Sequence, residues 1–348
     1  ATARPAMGDV AVKLAELLPF ARGLTKAGSL FADEASASSS ATPKTAPAAS
    51  DSPPLAESVA PPDDELMLAL ARRHGGAPGA ADATALPSRR VGWEATSGRR
   101  GADRMEDRCT VLSTPGLVVA GMFDGHNGDA AAEHCCQHLV RALHASLASQ
   151  PRVDDAAMAA ALATTFPTLH DSFVASSEAD HSGCTALAAV CTQGAIHVAN
   201  TGDCRCVLWR AHASSSAHEL VSLNVQHNAS LPDEARRIEA AGSSVSLCSD
   251  GKRRVAGVIE VTRCIGDQPL RQHGLIAEPE VRSLVNSPDD VALVLATDGL
   301  WDVIPDERVL HCLRNTAKSP DLIAKRLLHE ALDRGTQDNV SVVVVLLQ

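Results

Sequence analysis

Tyrosine is absent from this 348-residue chain, and aromatic residues make up only 2% of it. A buried core must therefore be assembled from Ala, Val, Leu and Ile. No run of about 18 apolar residues occurs, so no segment reads as a membrane-spanning helix. Basic residues are not in excess: the formal net charge is −11. A duplex-binding surface is normally basic, which makes nucleic acid a poor expectation. The ten cysteines include no C-x-x-C pair. In a chain this long they read as small buried hydrophobes in a reducing compartment, not as a disulfide framework or a zinc site. That places the chain inside a cell, in the cytoplasm or an organelle such as the mitochondrion. Cys204 and Cys206 alternate along one apparent strand and are expected to share a face. No internal repeat is present.

What is present divides at about residue 90. Residues 33–64 are dominated by Ala, Ser and Pro, with too few large apolar residues to offset chain entropy, and read as a linker. Residues 10–24 and 64–73 read as short helices. Lys13, Arg22 and Lys26 give the first a transit-peptide character that Asp9 and Glu16 weaken. Residues 1–90 are thus an extension that stands as a candidate for docking a partner, and 91–348 are the folded domain.

In that domain VGWEATS, RCTVLS and LVVAGMF read as strands, followed by helical patterns at 127–147 and 153–176. CTALAAVCT, AIHVANTG, RCVLWRA and HELVSL are further strands. PDEARRIEAAG is a helix with Pro232 at its first turn and Gly242 past its end. VRSLV and VALVLAT are strands, 306–316 and 319–333 are helices, and the apolar run NVSVVVVLLQ closes the chain as a central strand. This order is not the βαβα alternation of a doubly wound sheet. It predicts an α+β fold of antiparallel sheets covered by helices.

Acids recur where apolar strands stop. Asp124 ends LVVAGMF, Asp298 ends VALVLAT, Asp203 follows AIHVANTG, Asp338 precedes NVSVVVV, and Glu106 and Asp107 precede RCTVLS. One such acid is ordinary turn chemistry. Several converging carboxylates repel one another and resist desolvation, and a hard divalent cation removes that conflict. Oxygen ligands suit Mg²⁺ or Mn²⁺, and a pair of such ions suits in-line attack on phosphorus. Gly125 leaves its backbone carbonyl free to face a metal. His126, beside the cluster, has the chemistry of a general acid; the alternative is a turn-capping histidine.

These residues resemble the metal-dependent Ser/Thr protein phosphatases of the protein phosphatase 2C (PPM) family. MED (105–107), FDGHNG (123–128), SGCTA (182–186), ANTGDCRCVL (199–208), EARRIEAAG (234–242), VTRCIGD (261–267), ATDGLWDV (296–303) and TQDNVSVVVV (336–345) match its blocks in order. The resemblance implies a four-layer α-β-β-α sandwich with a binuclear Mg²⁺/Mn²⁺ site at one end, hydrolysing phosphoserine or phosphothreonine in a protein substrate without a phosphoenzyme. It implies that Asp124 bridges the metals, Gly125 offers its carbonyl, Asp298 and Asp338 complete one ion, and Glu106 serves the other through water, with Asp107 beside it. Asp203, Asp298 and Asp302 would form a weaker third site, and His126 would be the general acid.

One departure stands out. The family's phosphate-gripping Arg lies three residues before the Met of MED, where this chain has Ala102. If the segment is extended, Arg100, Ala102, Arg104 and Glu106 share a face, and Arg104 stands about 6.6 Å nearer the acids than Ala102. Arg104 or Arg100 is then the substitute. Asn127 stands where a second Gly is common, and is placed to cap the helix after it. Ala102 and the long extension also suit a pseudophosphatase that keeps the fold as a scaffold in a larger assembly. A metal-dependent hydrolase of non-protein phosphoesters is a third reading.

Overall fold

Leu117, Val119 and Phe123 alternate along one strand with Val118, Ala120 and Met122, and all six are buried. A strand apolar on both faces needs a layer on each side, and the computed structural model of the chain supplies both. The structure describes residues 89–348, apart from 149–152, 178–179, 213–214 and 216. The expected helices at 10–24 and 64–73 and the linker at 33–64 lie outside the described residues.

One five-stranded sheet runs in the order β1 (Val91–Thr96), β15 (Val340–Leu346), β14 (Asp290–Ala296), β8 (Arg205–Ala211) and β9 (His218–Ser222). The other runs β13 (Glu280–Val285), β7 (Ala195–Thr201), β6 (Ala186–Thr192), β3 (Leu117–Phe123) and β2 (Arg108–Thr114). Neighbouring strands in both sheets are antiparallel.

The side-chain period of two assigns each strand's residues to layers. Val118, Ala120, Met122, Leu187 and Ala189 of one sheet pack between the sheets against Leu293, Leu295, Val343 and Val345 of the other. Cys204 and Cys206 lie in this same layer, on one face as expected, and all ten cysteines are free. The opposite faces are covered by helices. Leu117, Val119 and Phe123 pack under α1 (Ala130–Ala148) and α2 (Asp155–Ser176). Val294, Val342 and Val344 pack under α5 (Asp306–Arg314) and α6 (Pro320–Asp333). This is the predicted four-layer α-β-β-α sandwich. α3 (Pro232–Ala240) starts on Pro232 with Asp233 and Glu234 in its first turn, where acids favour the helix dipole.

Several short elements carry no sequence signal of their own. β4 (Gly125–His126), β5 (Gly183–Cys184) and β12 (Ile265–Gly266) form a small sheet with β5 in the middle. β10 (Val245–Leu247) pairs with β11 (Arg253–Val255). α4 (Asp298–Trp301) is a single turn.

Candidate active site

Register brings the acidic segments to one end of the sandwich. Arg108 pairs with Phe123, so Asp107 and Asp124 leave β2 and β3 at the same end. In the other sheet Ala296 pairs with both Arg205 and Val342, so Asp298 leaves β14 beside the start of β8 and the start of β15. Asp338 lies just before β15. Asp203 sits in the turn that joins β7 of one sheet to β8 of the other, so the two ends coincide.

Two glycines let the acidic turns close up. A Cβ on Gly125 would collide with the Glu106 carbonyl, and one on Gly299 would collide with the Asn339 carbonyl. Each Asp-Gly step therefore packs its backbone directly on a neighbouring acidic segment, Asp124-Gly125 on Glu106 and Asp298-Gly299 on the turn holding Asp338.

Hydrogen bonds fix the rest. Asn339 Oδ1 accepts from the Glu106 N–H at 2.9 Å, and Glu106 Oε1 accepts from the Gly128 N–H at 2.7 Å. Thr185 braces the Asp124 backbone: its N–H donates to the Asp124 carbonyl at 2.9 Å, and its hydroxyl accepts from the Asp124 N–H at 3.3 Å. Asp107, 1% exposed, accepts on Oδ2 from Ser341 Oγ at 2.8 Å and Thr297 Oγ1 at 3.1 Å. Its Oδ1 is buried without a hydrogen-bond partner.

The electrostatics are those of a site short of positive charge. Burial, followed by the charges of Asp107, Asp298, Asp203 and Asp338, holds the Asp124 carboxyl well above the ordinary range. Asp298 is raised in the same way, by burial and then by Asp203, Asp338, Asp302 and Asp107. Burial pushes Asp107 up to about 7 and Asp203 up to about 6. For His126, desolvation disfavours the charged ring, but the adjoining Asp267 carboxylate outweighs it and the pKa is raised.

Among the described residues no three Asp, Glu, His or Cys side chains are drawn into a single coordination sphere, as expected of like charges that repel. The donor chemistry fits hard cations nonetheless. Carboxylates whose neutral forms are favoured by burial and by one another's charge, with an orphaned buried oxygen on Asp107, match oxygen-ligated Mg²⁺ or Mn²⁺.

The arginine segment differs from expectation. Residues 98–104 are not extended. They form two 3₁₀ turns, Gly98–Arg100 and Ala102–Arg104, joined at Gly101 with φ 95°. The two-residue alternation that aligned Arg100, Ala102, Arg104 and Glu106 therefore does not apply. Arg100 reaches the acids directly, with Nη2 2.8 Å from Asp338 Oδ2 and Nη1 3.2 Å from Glu106 Oε2. Arg104 is exposed. At the other side of the cluster, Asp302 is 56% exposed at the end of α4, 3.6 Å from Lys252, which also pairs with Glu260 at 3.0 Å.

Sequence reasoning missed Asp267, Thr297, Ser341, Asn339 and Glu260. Asp267 Oδ2 lies 2.6 Å from His126 Nε2. Its only sequence signal is that it ends the VTRCIGD block with no long apolar strand before it.

The family model for protein phosphatase 2C matches residues 94–340. The chain belongs to this family. A rice relative named as a protein kinase and phosphatase 2C-like domain-containing protein is 38% identical over 273 residues, covering 75% of this chain and 40% of its own length. The chain thus spans well under half of that phosphatase 2C relative. Rice probable protein phosphatase 2C 59 is 32% identical, covering 80% of this chain and 82% of the relative. The crystal structure of a Toxoplasma gondii serine-threonine phosphatase 2C aligns with a TM-score of 0.66 at 22% identity, over 76% of this chain and 96% of the other, and shares the fold. No helix among the described residues of this phosphatase 2C domain is long and apolar enough to cross a membrane.

Proposed function

We propose that the chain hydrolyses phosphoserine and phosphothreonine esters of proteins at a site holding two Mg²⁺ or Mn²⁺ ions. Family membership supports protein phosphatase activity. The observation that carries the finer reading is the convergence of the Asp124-Gly125 and Asp298-Gly299 turns on Glu106 and on the turn holding Asp338 at one end of the sandwich. There burial and then their neighbours' charges raise the Asp124 and Asp298 carboxyls, a conflict that hard cations relieve. Asp124, the Gly125 carbonyl, Glu106, Asp107, Asp298 and Asp338 would hold the pair. Asp203, Asp298 and Asp302 would hold a weaker third ion. Bound there, the ions would supply Lewis-acid charge to the phosphoryl group and lower the pKa of the attacking water.

The chain's own residues do the rest. Arg100, already directed at Glu106 and Asp338, is placed to grip the phosphate, in preference to the exposed Arg104. Its planar fork suits bidentate binding of phosphate oxygens. His126 gives a proton to the departing serine or threonine oxygen, which otherwise leaves as a poor alkoxide.

The test is phosphate release from a phosphothreonine peptide with added Mn²⁺, with EDTA, and with Asp298→Ala. Activity that requires Mn²⁺ and falls about 100-fold in the variant supports the reading. Turnover insensitive to EDTA contradicts it. The scaffold reading has one observation in its favour: the Arg100 guanidinium lies between two carboxylates, where an ion would otherwise supply the charge. Tight Mn²⁺ binding with no turnover selects that reading.

The substrate, partners and compartment are proposals too. The extension at 1–90 is proposed to dock a partner. A reducing interior, cytoplasmic or organellar, is the proposed location; one rice relative, 32% identical, is named as mitochondrial.

A further inference from the structure

His126 and Asp267 are 141 residues apart in sequence, and the small sheet brings them together. His126 pairs with Gly183 on one side of β5, and Gly266 pairs with the same Gly183 on the other. The residue after Gly266 is Asp267. A Cβ on Gly183 would collide with Asp267 Oδ2 and would crowd His126 Nε2. The space above Gly183 is thus filled by the histidine–carboxylate contact itself, and only glycine leaves room for it.

The carboxylate is held more firmly than the ring. Its side chain is 4% exposed, against 29% for His126. Asp267 takes the left-handed conformation, φ 51° and ψ 42°, which costs a non-glycine residue free energy and persists only where the surroundings enforce it. They do so here. The Asp267 N–H donates to the Ser182 carbonyl at 3.0 Å. The Gly266 N–H donates to His170 Nδ1 on α2 at 3.1 Å. Arg271 Nε donates to the Gly266 carbonyl at 3.0 Å, and its Nη2 donates to the Cys264 carbonyl at 2.6 Å. Helix α2 and Arg271 therefore clamp the corner that carries the carboxylate.

We infer that Asp267 is the positioning residue of the general acid: it accepts the Nε2–H of His126, fixes the ring, and leaves Nδ1 as the atom that transfers the proton. This rests on the phosphatase reading and deepens it. An imidazole has two nitrogens, and a short bond to a buried carboxylate commits one of them as a donor. In the transfer, Nδ1–H passes its proton to the ester oxygen as the P–O bond breaks, and the alcohol departs neutral. The ring remains as the Nε2–H tautomer on Asp267. The proton released by the attacking water restores Nδ1–H, so water and phosphoester become alcohol and phosphate with no other reagent.

Two measurements on the full chain test this. The first is ¹⁵N NMR of the His126 ring at a pH where the imidazole is neutral. The Nε2–H tautomer is expected in the wild type, with loss of that preference in Asp267→Asn. Asparagine tolerates the left-handed backbone, so this variant removes charge with little change of shape. A wild-type ring protonated at Nδ1 instead overturns the inference. The second compares a phosphothreonine peptide, whose alkoxide needs a proton, with p-nitrophenyl phosphate, whose nitrophenolate leaves as an anion. Asp267→Asn is expected to lower kcat on the peptide by at least about tenfold more than on p-nitrophenyl phosphate. His126→Ala should show the same bias, and the double variant should be no worse than His126→Ala alone. Equal losses on both substrates, or additive losses, overturn it. If the wild type turns over neither substrate, the phosphatase reading has failed, and the NMR tautomer still decides the positioning of His126.

Discussion

Arg100 and Arg104 are four positions apart and differ in what they can reach. Arg100 touches Glu106 and Asp338, while Arg104 is exposed. Arg100→Ala is therefore expected to raise KM for a phosphopeptide about tenfold with a smaller change in kcat, and Arg104→Ala to raise it less. Steady-state kinetics of the two variants settles which arginine holds the phosphate; a KM that rises only in Arg104→Ala returns the grip to Arg104. The sequence made Arg100 a candidate but not the choice, because the choice depended on assuming an extended backbone. Gly101, at φ 95° between two 3₁₀ turns, breaks that assumption. Asp124 and Asp298 were legible for the opposite reason: each stands within two residues of the end of a seven-residue buried strand. Asp267 was not, because it follows a two-residue strand and its partner is 141 residues away.

At the scale of elements, the apolar runs LVVAGMF, VALVLA and VSVVVVL fall in β3, β14 and β15, which lie inside their sheets and are buried on both faces. The strands and helix that escaped detection, β4, β5, β10, β11, β12 and α4, are two to four residues long. Periodicity needs more residues than that to show. These short pieces nevertheless place Gly125, His126 and Asp298. α4 is held by its surroundings, not by its own length. Arg205 makes two hydrogen bonds to Asp306, at 2.7 and 2.8 Å, and lies 5.0 Å from the centre of the Trp301 ring. Trp301 Nε1 donates to the Ala296 carbonyl at 2.9 Å. Arg205→Ala is expected to cost about 1 kcal/mol, since Asp306 is partly solvated. Because α4 begins at Asp298, the same variant should weaken Mn²⁺ binding. A calorimetric titration that finds wild-type affinity would show that α4 does not depend on this brace.

At the scale of the whole molecule, five acidic segments from two sheets share one end, and their charges oppose one another. Asp107 rises from 3.8 to about 7 and Asp203 from 3.8 to about 6 in the folded state. A carboxyl raised on folding binds more protons folded than unfolded. Its favourable contribution is complete below about pH 4 and is lost as pH climbs to about 7. Histidines lowered on folding, such as His170 and His227, act in the opposite direction, so the clean observable is a difference. The gain in Tm on adding Mn²⁺ to the chelated chain should grow between pH 5 and pH 8, because the cation replaces protons that the acids can no longer keep. A gain independent of pH would place Mn²⁺ elsewhere.

The claim on which the rest depends is that this end of the sandwich uses divalent cations to hydrolyse a phosphoester. Its most direct test is the initial rate of phosphate release from a phosphothreonine peptide by the full chain as Mn²⁺ is titrated into the EDTA-treated protein. The account predicts a saturable rise from a negligible rate, absent in Asp298→Ala. A rate that is already maximal in EDTA, or that stays at zero when the sites are filled with Mn²⁺, would contradict it.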